Sequence, residues 1–292
     1  MRRFGIAAVL ALLAVAAPAR SAVSARDDLG TLVTLAKPAR RIVALAPNAV
    51  ELLFAVGAGK QVVGVPTQTD YPSEATKLPK VGGFMTVDEE AILVKRPELI
   101  VLAHGNPKPF IERLRARKIP VFVLHPRRVA DIPRALRSLG NLTGHVKEGK
   151  STAVRFETGL REITGRVSKQ KAVKAALLVW DEPLTLAGAG AYLNDALRLV
   201  GATNIAADLS KPYPTMDPEQ FAVRNPEAIL FAVHDAAKVK DATQRPGVRS
   251  TAAVKSGRVY HLDDNLLLRP GPRLVQGLRA MAEALHPEAF AQ

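Results

Sequence analysis

Two stretches of this chain repeat one pattern. DEEAILVKRPELIVLA runs from Asp88 to Ala103, and DPEQFAVRNPEAILFA runs from Asp217 to Ala232. Each places a Glu (Glu90; Glu219) seven residues before a Pro-Glu pair (Pro97-Glu98; Pro226-Glu227), and a continuous apolar run follows. Upstream, Val56-Gly57-Ala58 answers Val200-Gly201-Ala202. An acidic helix start, a proline stop and a buried-type strand form one β/α unit. Its recurrence constrains the chain to two similar halves.

The segments around the repeat complete the alternation. Arg41–Ala46 reads as a buried strand, Pro47-Asn48 as a helix start, Glu51–Val56 as helix and Gln61–Val65 as strand. Phe110–Lys118 reads as helix, Val121–His125 as strand and Asp131–Leu142 as helix. The second half restarts with strand Ala175–Trp180, helix Ala191–Val200, strands Glu227–Val233 and Arg258–Leu262, and a closing helix near Arg273–Leu285. Alternation of this kind implies mostly parallel sheets with helices on both faces. Between the halves, residues 145–168 contain no proline, and Ala153, Phe156, Leu160, Ile163 and Val167 form one helical seam. The expected organisation is an N-terminal α/β lobe over 39–144, a bridging helix over 145–168 and a C-terminal α/β lobe over 172–290.

The first residues read as an address. Arg2 and Arg3 precede the apolar run Phe4–Ala17, and small residues follow with cleavage points after Ala19 or Ala25. This is the layout of a secretory signal peptide, assigned to residues 1–25, and the run is short for a membrane span. The 292 residues carry 41 Lys+Arg against 27 Asp+Glu, a net +14. Loss of Arg2, Arg3 and Arg20 leaves 38 basic residues against 27 acidic, a net +11. An exported chain does not normally meet DNA, and no helix-turn-helix, RNP or zinc-finger pattern is present, so nucleic acid is not an expected partner. Cysteine is absent from the sequence. That excludes disulfides, thiolate metal sites, a cysteine nucleophile and a lipid-bearing cysteine, and points to a protein free in a periplasm.

Catalytic punctuation is sparse. There is no G-x-S-x-G, no H-E-x-x-H and no phosphate-cradling loop around Gly57–Lys60, and Gly188-Ala-Gly190 is half of a dinucleotide fingerprint. His125 reads as a packed or capping residue at a strand end. His104 follows a strand, where open α/β sheets place ligands, and reads equally as pocket or plain surface. Four aromatic residues fall in loops or at strand ends: Tyr71 and Phe84 in the first half, Trp180 and Tyr213 in the second. Together they suggest a cleft that sandwiches a large flat ligand.

Several stretches resemble a known family. Arg41–Val65, Thr69–Pro72 (TDYP), Leu78–Phe84 (LPKVGGF) and Glu90–Pro97 are similar to the helical-backbone class of periplasmic substrate-binding proteins, which feed ABC importers of vitamin B12, haem and iron–siderophores. Asn106-Pro-Lys, Val179-Trp180-Asp-Glu-Pro-Leu and Arg269-Pro-Gly-Pro-Arg273 look most like its cobalamin-binding branch. The resemblance implies an α/β fold of two Rossmann-like lobes with mostly parallel sheets joined by one long helix. It also implies a ligand between the lobes, little hinge motion, no catalytic residues, and no cofactor or metal beyond cobalamin as cargo. A monomer is expected.

By the same resemblance Phe84, Trp180 and Tyr213 match aromatic residues that hold the corrin, Arg269 matches a ligand-contacting Arg, and Asp264 or Asn265 falls near a ligand-contacting Asp. Tyr71 and His104 complete the expected ligand-binding set. Glu90 and Glu219 match acidic residues that dock on the permease dimer; read from residues alone, each is a solvated side chain in a first helical turn. Two departures stand out: Gln68 replaces one cage aromatic, and Ala103 or His104 replaces a Trp. The Tyr that ligates iron in related haem binders would fall at Gly83–Phe84, where none stands. The alternatives are haem or a ferric siderophore with His104 or Tyr71 on iron, and an exported enzyme with His104 and Asp181 as acid and base.

Overall fold

A computed structural model describes residues 22–291. The expected leader and its Ala19 cleavage point lie outside the described residues, whereas Ala25 falls inside the first strand. In chain order the first half contains β1 (Val23–Arg26), β2 (Leu32–Leu35), β3 (Ile42–Ala44), α1 (Pro47–Ala55), β4 (Val62–Gly64), α2 (Ser73–Thr76), α3 (Glu89–Val94), β5 (Leu99–Ala103), α4 (Lys108–Ala116), β6 (Val121–Leu124) and α5 (Asp131–Thr143). The long helix α6 (Val146–Val167) follows. The second half contains β7 (Val173–Trp180), β8 (Thr185–Leu186), α7 (Tyr192–Leu199), β9 (Ala202–Asn204), α8 (Pro218–Arg224), β10 (Ala228–Ala232), α9 (Ala236–Gln244), α10 (Pro246–Arg249), α11 (Ala252–Lys255), β11 (Val259–Leu262), α12 (Asp264–Leu267) and α13 (Leu274–Leu285).

The protein is α/β, with two Rossmann-like lobes joined by α6. The first sheet runs β4-β3-β5-β6, all parallel. In the second, β9-β7-β10-β11 are parallel in the equivalent order, and the short β8 adds antiparallel to the far end of β7. The hairpin β1–β2, which precedes the expected lobe boundary at residue 39, pairs from Val23↔Leu35 to Arg26↔Leu32 and leans on α5.

The sequence repeat has a physical basis at its two ends. Asp88 caps α3 by accepting from the Ala91 N–H at 2.9 Å, and Asp217 caps α8 by accepting from the Gln220 N–H at 2.8 Å. At the other end, Arg96 (φ 47°) and Asn225 (φ 40°) turn the chain into the proline. Glu98 then accepts from the Arg40 and Arg41 N–H groups (2.5 and 3.2 Å), and Glu227 accepts from the Lys174 N–H (3.0 Å). Each Pro-Glu step therefore clasps the start of its lobe's first strand, which sets the register of the following strand beside it.

At 1.5 Å per residue the 22 residues of α6 span about 33 Å. Ala153, Phe156, Ile163 and Val167 are buried along one side. One continuous apolar cluster includes these residues, Val50 and Leu53 of α1, Leu193 and Leu197 of α7, and Leu278 and Met281 of α13. The helix is thus part of a core that both lobes share. Direct contacts add to it: the Val129 N–H donates to Asp195 (3.0 Å), and Arg273 forks onto Glu51 (2.9 and 2.7 Å).

Candidate functional site

The carboxyl ends of β3, β5 and β6 open onto the gap between the lobes. A cavity of about 610 Å³ opens there. Residues 46–48 follow β3, His104 follows β5 and residues 125–127 follow β6; residues 190–192, 212–213 and 268–270 come from the other lobe. In an open α/β sheet this end, where the strand order reverses direction, is where ligands bind. A second cavity of about 940 Å³ lies behind it, between α1, α6 and residues 272–276. It is larger, but no strand end feeds it.

Four of the expected ligand-binding residues meet in the cleft: Phe84, His104, Tyr213 and Arg269. Phe84 is fixed through its backbone, whose carbonyl accepts from Asn106 Nδ2 at 2.6 Å and whose N–H donates to Gln68 Oε1 at 3.3 Å. Asn106 is itself buried and also bonds the Leu45 carbonyl and the Ala103 N–H, so one side chain pins three cleft loops. A Cβ on Gly105 would stand 3.1 Å from the Phe84 ring, so glycine lets that ring lie on the chain. Tyr213 rides on a loop laid across Gly188 and Gly190; the Gly188 N–H donates to the Pro212 carbonyl at 2.9 Å, and a Cβ there would collide with the Lys211 carbonyl. The half-fingerprint of glycines thus serves close backbone packing that presents Tyr213.

The remaining residues of the expected set lie outside that cavity. Tyr71 lines the rear one, with the Arg273 guanidinium 4.0 Å from its ring centre. Trp180 stands exposed at the end of β7, beneath Lys238 at 4.6 Å, and donates to the Glu182 carbonyl. Asp264 opens α12 with Oδ1 3.6 Å from His234 Nδ1. Asp181 is buried beside Lys238 and Arg245, away from the cavity that His104 lines, so no acid–base couple forms between Asp181 and His104. Glu90 and Glu219 occupy equivalent first-turn positions of α3 and α8, and both are exposed.

The structure adds residues that sequence reasoning did not place in the site, among them His125, which was expected to be a packed or capping residue and instead lines the cleft. His125 faces His104 with ring centres 3.8 Å apart and Arg127 Nη1 3.0 Å from its Nε2. Burial, then His104 and Arg127, pull its pKa from the ordinary histidine value down to about 4. Tyr192 is buried at the cleft wall and donates to the Leu267 carbonyl at 2.5 Å, tying α7 to the segment that carries Arg269. Asp70 chelates Arg269, whose hydrogen bonds hold that carboxyl below the usual carboxylate range. Position after a strand was the available signal for His125 and the TDYP motif the one for Asp70; nothing local marks Tyr192. Among the described residues no carboxylate lines the cleft, while Arg127, Arg269 and two imidazoles do.

Comparison with known proteins agrees with this architecture. Residues 42–266 match the family model described as "Periplasmic binding protein". An uncharacterized ABC transporter substrate-binding lipoprotein of Bacillus subtilis is 31% identical over 267 residues, covering 88% of this chain and 83% of its own. The crystal structure of the periplasmic vitamin B12 binding protein of Vibrio cholerae superposes with a TM-score of 0.79 at 26% identity, over 87% of this chain and 99% of that one. A periplasmic heme binding protein from Pseudomonas aeruginosa superposes with a TM-score of 0.74, also at 26% identity, over 85% and 93%. With its family match, its doubled parallel sheets and a cleft lined from both lobes, this chain belongs to the periplasmic binding protein family of ABC-importer substrate-binding proteins.

Proposed function

We propose that the protein captures a corrinoid, cobalamin or a near relative, between its lobes in the periplasm and delivers it as a monomer to the permease dimer of an ABC importer. One observation carries the reading: a cleft receives an aromatic ring from each lobe, Phe84 and Tyr213, with no carboxylate on its walls among the described residues. Rings from opposite sides suit a broad flat ligand. Similarity to the vitamin B12 binding protein and the cobalamin-branch motifs around Asn106 and Arg269 support the choice of cargo. The role is binding without chemistry.

A second reading, haem, is favoured by the His104–His125 pair, since neutral imidazoles are good ligands for iron. Titrating the mature protein with cyanocobalamin and with haemin separates the two. A calorimetric response to cyanocobalamin at micromolar concentration supports the corrinoid. A Soret band with haemin that His104→Ala removes, together with silence toward cyanocobalamin, reverses the choice.

The docking face follows from the repeat. Glu90 and Glu219 have no cationic partner within salt-bridge distance among the described residues, and four residues on each helix presents an exposed valine, Val94 (70% exposed) and Val223 (85%). Two acidic–apolar faces at equivalent places in two lobes suit a partner with near two-fold symmetry and basic contact points.

A further inference from the structure

Arg269 is the guanidinium that the C-terminal lobe offers to the cleft, and it is already occupied. Asp70, on the loop before α2 of the other lobe, holds it through both carboxylate oxygens, one at 2.8 Å. Its Nη1 also lies 3.7 Å from Glu51 Oε1. Glu51, whose side chain is fully buried, in turn holds Arg273 by two bonds. Two guanidinium groups and two carboxylates make a cluster without net charge. Within it Glu51 is inaccessible, whereas the Asp70 side chain is 55% exposed.

We propose that Asp70 is a specificity-determining residue: by neutralising Arg269 at the cleft wall it selects ligands with a neutral amide periphery over ligands that carry free carboxylates. The proposal rests on the corrinoid reading and deepens it. A ligand carboxylate that reaches Arg269 must either displace Asp70 or sit beside it as a like charge, and like charges brought together at an interface are costly. A carboxamide meets no such penalty. Its oxygen can accept from an Arg269 N–H that Asp70 leaves free, and being neutral it is not repelled by the carboxylate behind that guanidinium. Arg127 does not replace Arg269 in this role. It stands in the opposite lobe beside His125, and among the described residues it forms no salt bridge that could choose between amide and acid.

The test uses two corrin probes that share ring and metal, dicyanocobinamide with amide side chains and dicyanocobyrinic acid with carboxylates, each titrated calorimetrically into the wild type, Asp70→Asn and Asp70→Glu. The wild type should prefer the amide probe by about tenfold or more, the scale of a single unfavourable charge contact. Asp70→Asn should raise affinity for the carboxylate probe by about tenfold, leave the amide probe within about twofold, and lose most of that gain in high salt, as expected of an exposed charge. Asp70→Glu should restore the wild-type preference. Equal changes for both probes in Asp70→Asn, or weaker binding of the acid, would overturn the proposal while leaving the corrinoid reading intact. Failure of the wild type to bind the amide probe at all would overturn both.

Discussion

The three glycines of α6 show how one residue type can be required at one turn and expendable at another. A Cβ on Gly149 would come within 2.8 Å of the Leu136 carbonyl and 2.9 Å of Gly140 Cα, where α5 and α6 cross at backbone distance. A Cβ on Gly165 meets nothing within 4 Å. Gly165→Ala should therefore raise stability by roughly 0.5–1 kcal/mol, and Gly149→Ala should lower it by about 1–3 kcal/mol, both read from urea midpoints at constant slope. His125 carries a second residue-scale prediction. Its folded pKa of about 4 lies below the ordinary value of 6.5. Between those values the unfolded chain binds a proton that the folded protein does not, so stability falls as pH drops from 6.5 toward 4. His125→Gln should flatten that part of the pH–stability curve; an unchanged slope would contradict the burial argument. The strand-end position of His125 was legible in the sequence. Its facing partner was not, because His104 and His125 belong to different strands and meet only when β5 and β6 pair.

At the scale of elements, legibility followed the length of the apolar signal. β5, β6 and β10 are short apolar runs buried throughout except at Ala103, and they stand where the sequence places them. β1 and β2 alternate exposed and less exposed positions over four residues each, too brief a pattern to distinguish from a leader. β8 and β9 are two and three residues long, and α9 to α12 are cut by turns that carry little periodicity. The same limit applied to the expected site. That Tyr71, Phe84, Trp180 and Tyr213 lie off the core was readable, but which cavity each faces depends on turns such as the one that lays residues 209–214 over Gly188. The paired helices α3 and α8 carry the docking prediction. Charge reversal at Glu90 and Glu219 together should abolish ligand uptake in a transport assay and leave ligand affinity within about twofold, since exposed ion pairs orient more than they bind. Lost affinity in the purified variant would place these residues in ligand recognition instead.

Across the whole molecule, the shared core along α6 and the ion pairs between lobes oppose a wide hinge motion. Arg273 and Glu51 join lobes across a buried contact, with the Glu51 side chain fully enclosed. Glu51→Ala would leave Arg273 without its carboxylate and should cost about 3–5 kcal/mol, measured as a fall in the denaturation midpoint; a loss below 1 kcal/mol would show that the lobes do not depend on this pair. In the proposed reading a frame this constrained holds the cleft preformed, and its two aromatic walls carry the functional claim. The most direct measurement is a calorimetric titration of cyanocobalamin into the wild type and the Tyr213→Ala variant. The account predicts one ligand per chain at micromolar affinity or better, weakened at least about tenfold by loss of the C-lobe ring. A wild type that gives no heat at micromolar ligand, or a Tyr213→Ala variant that binds as tightly as the wild type, would contradict it.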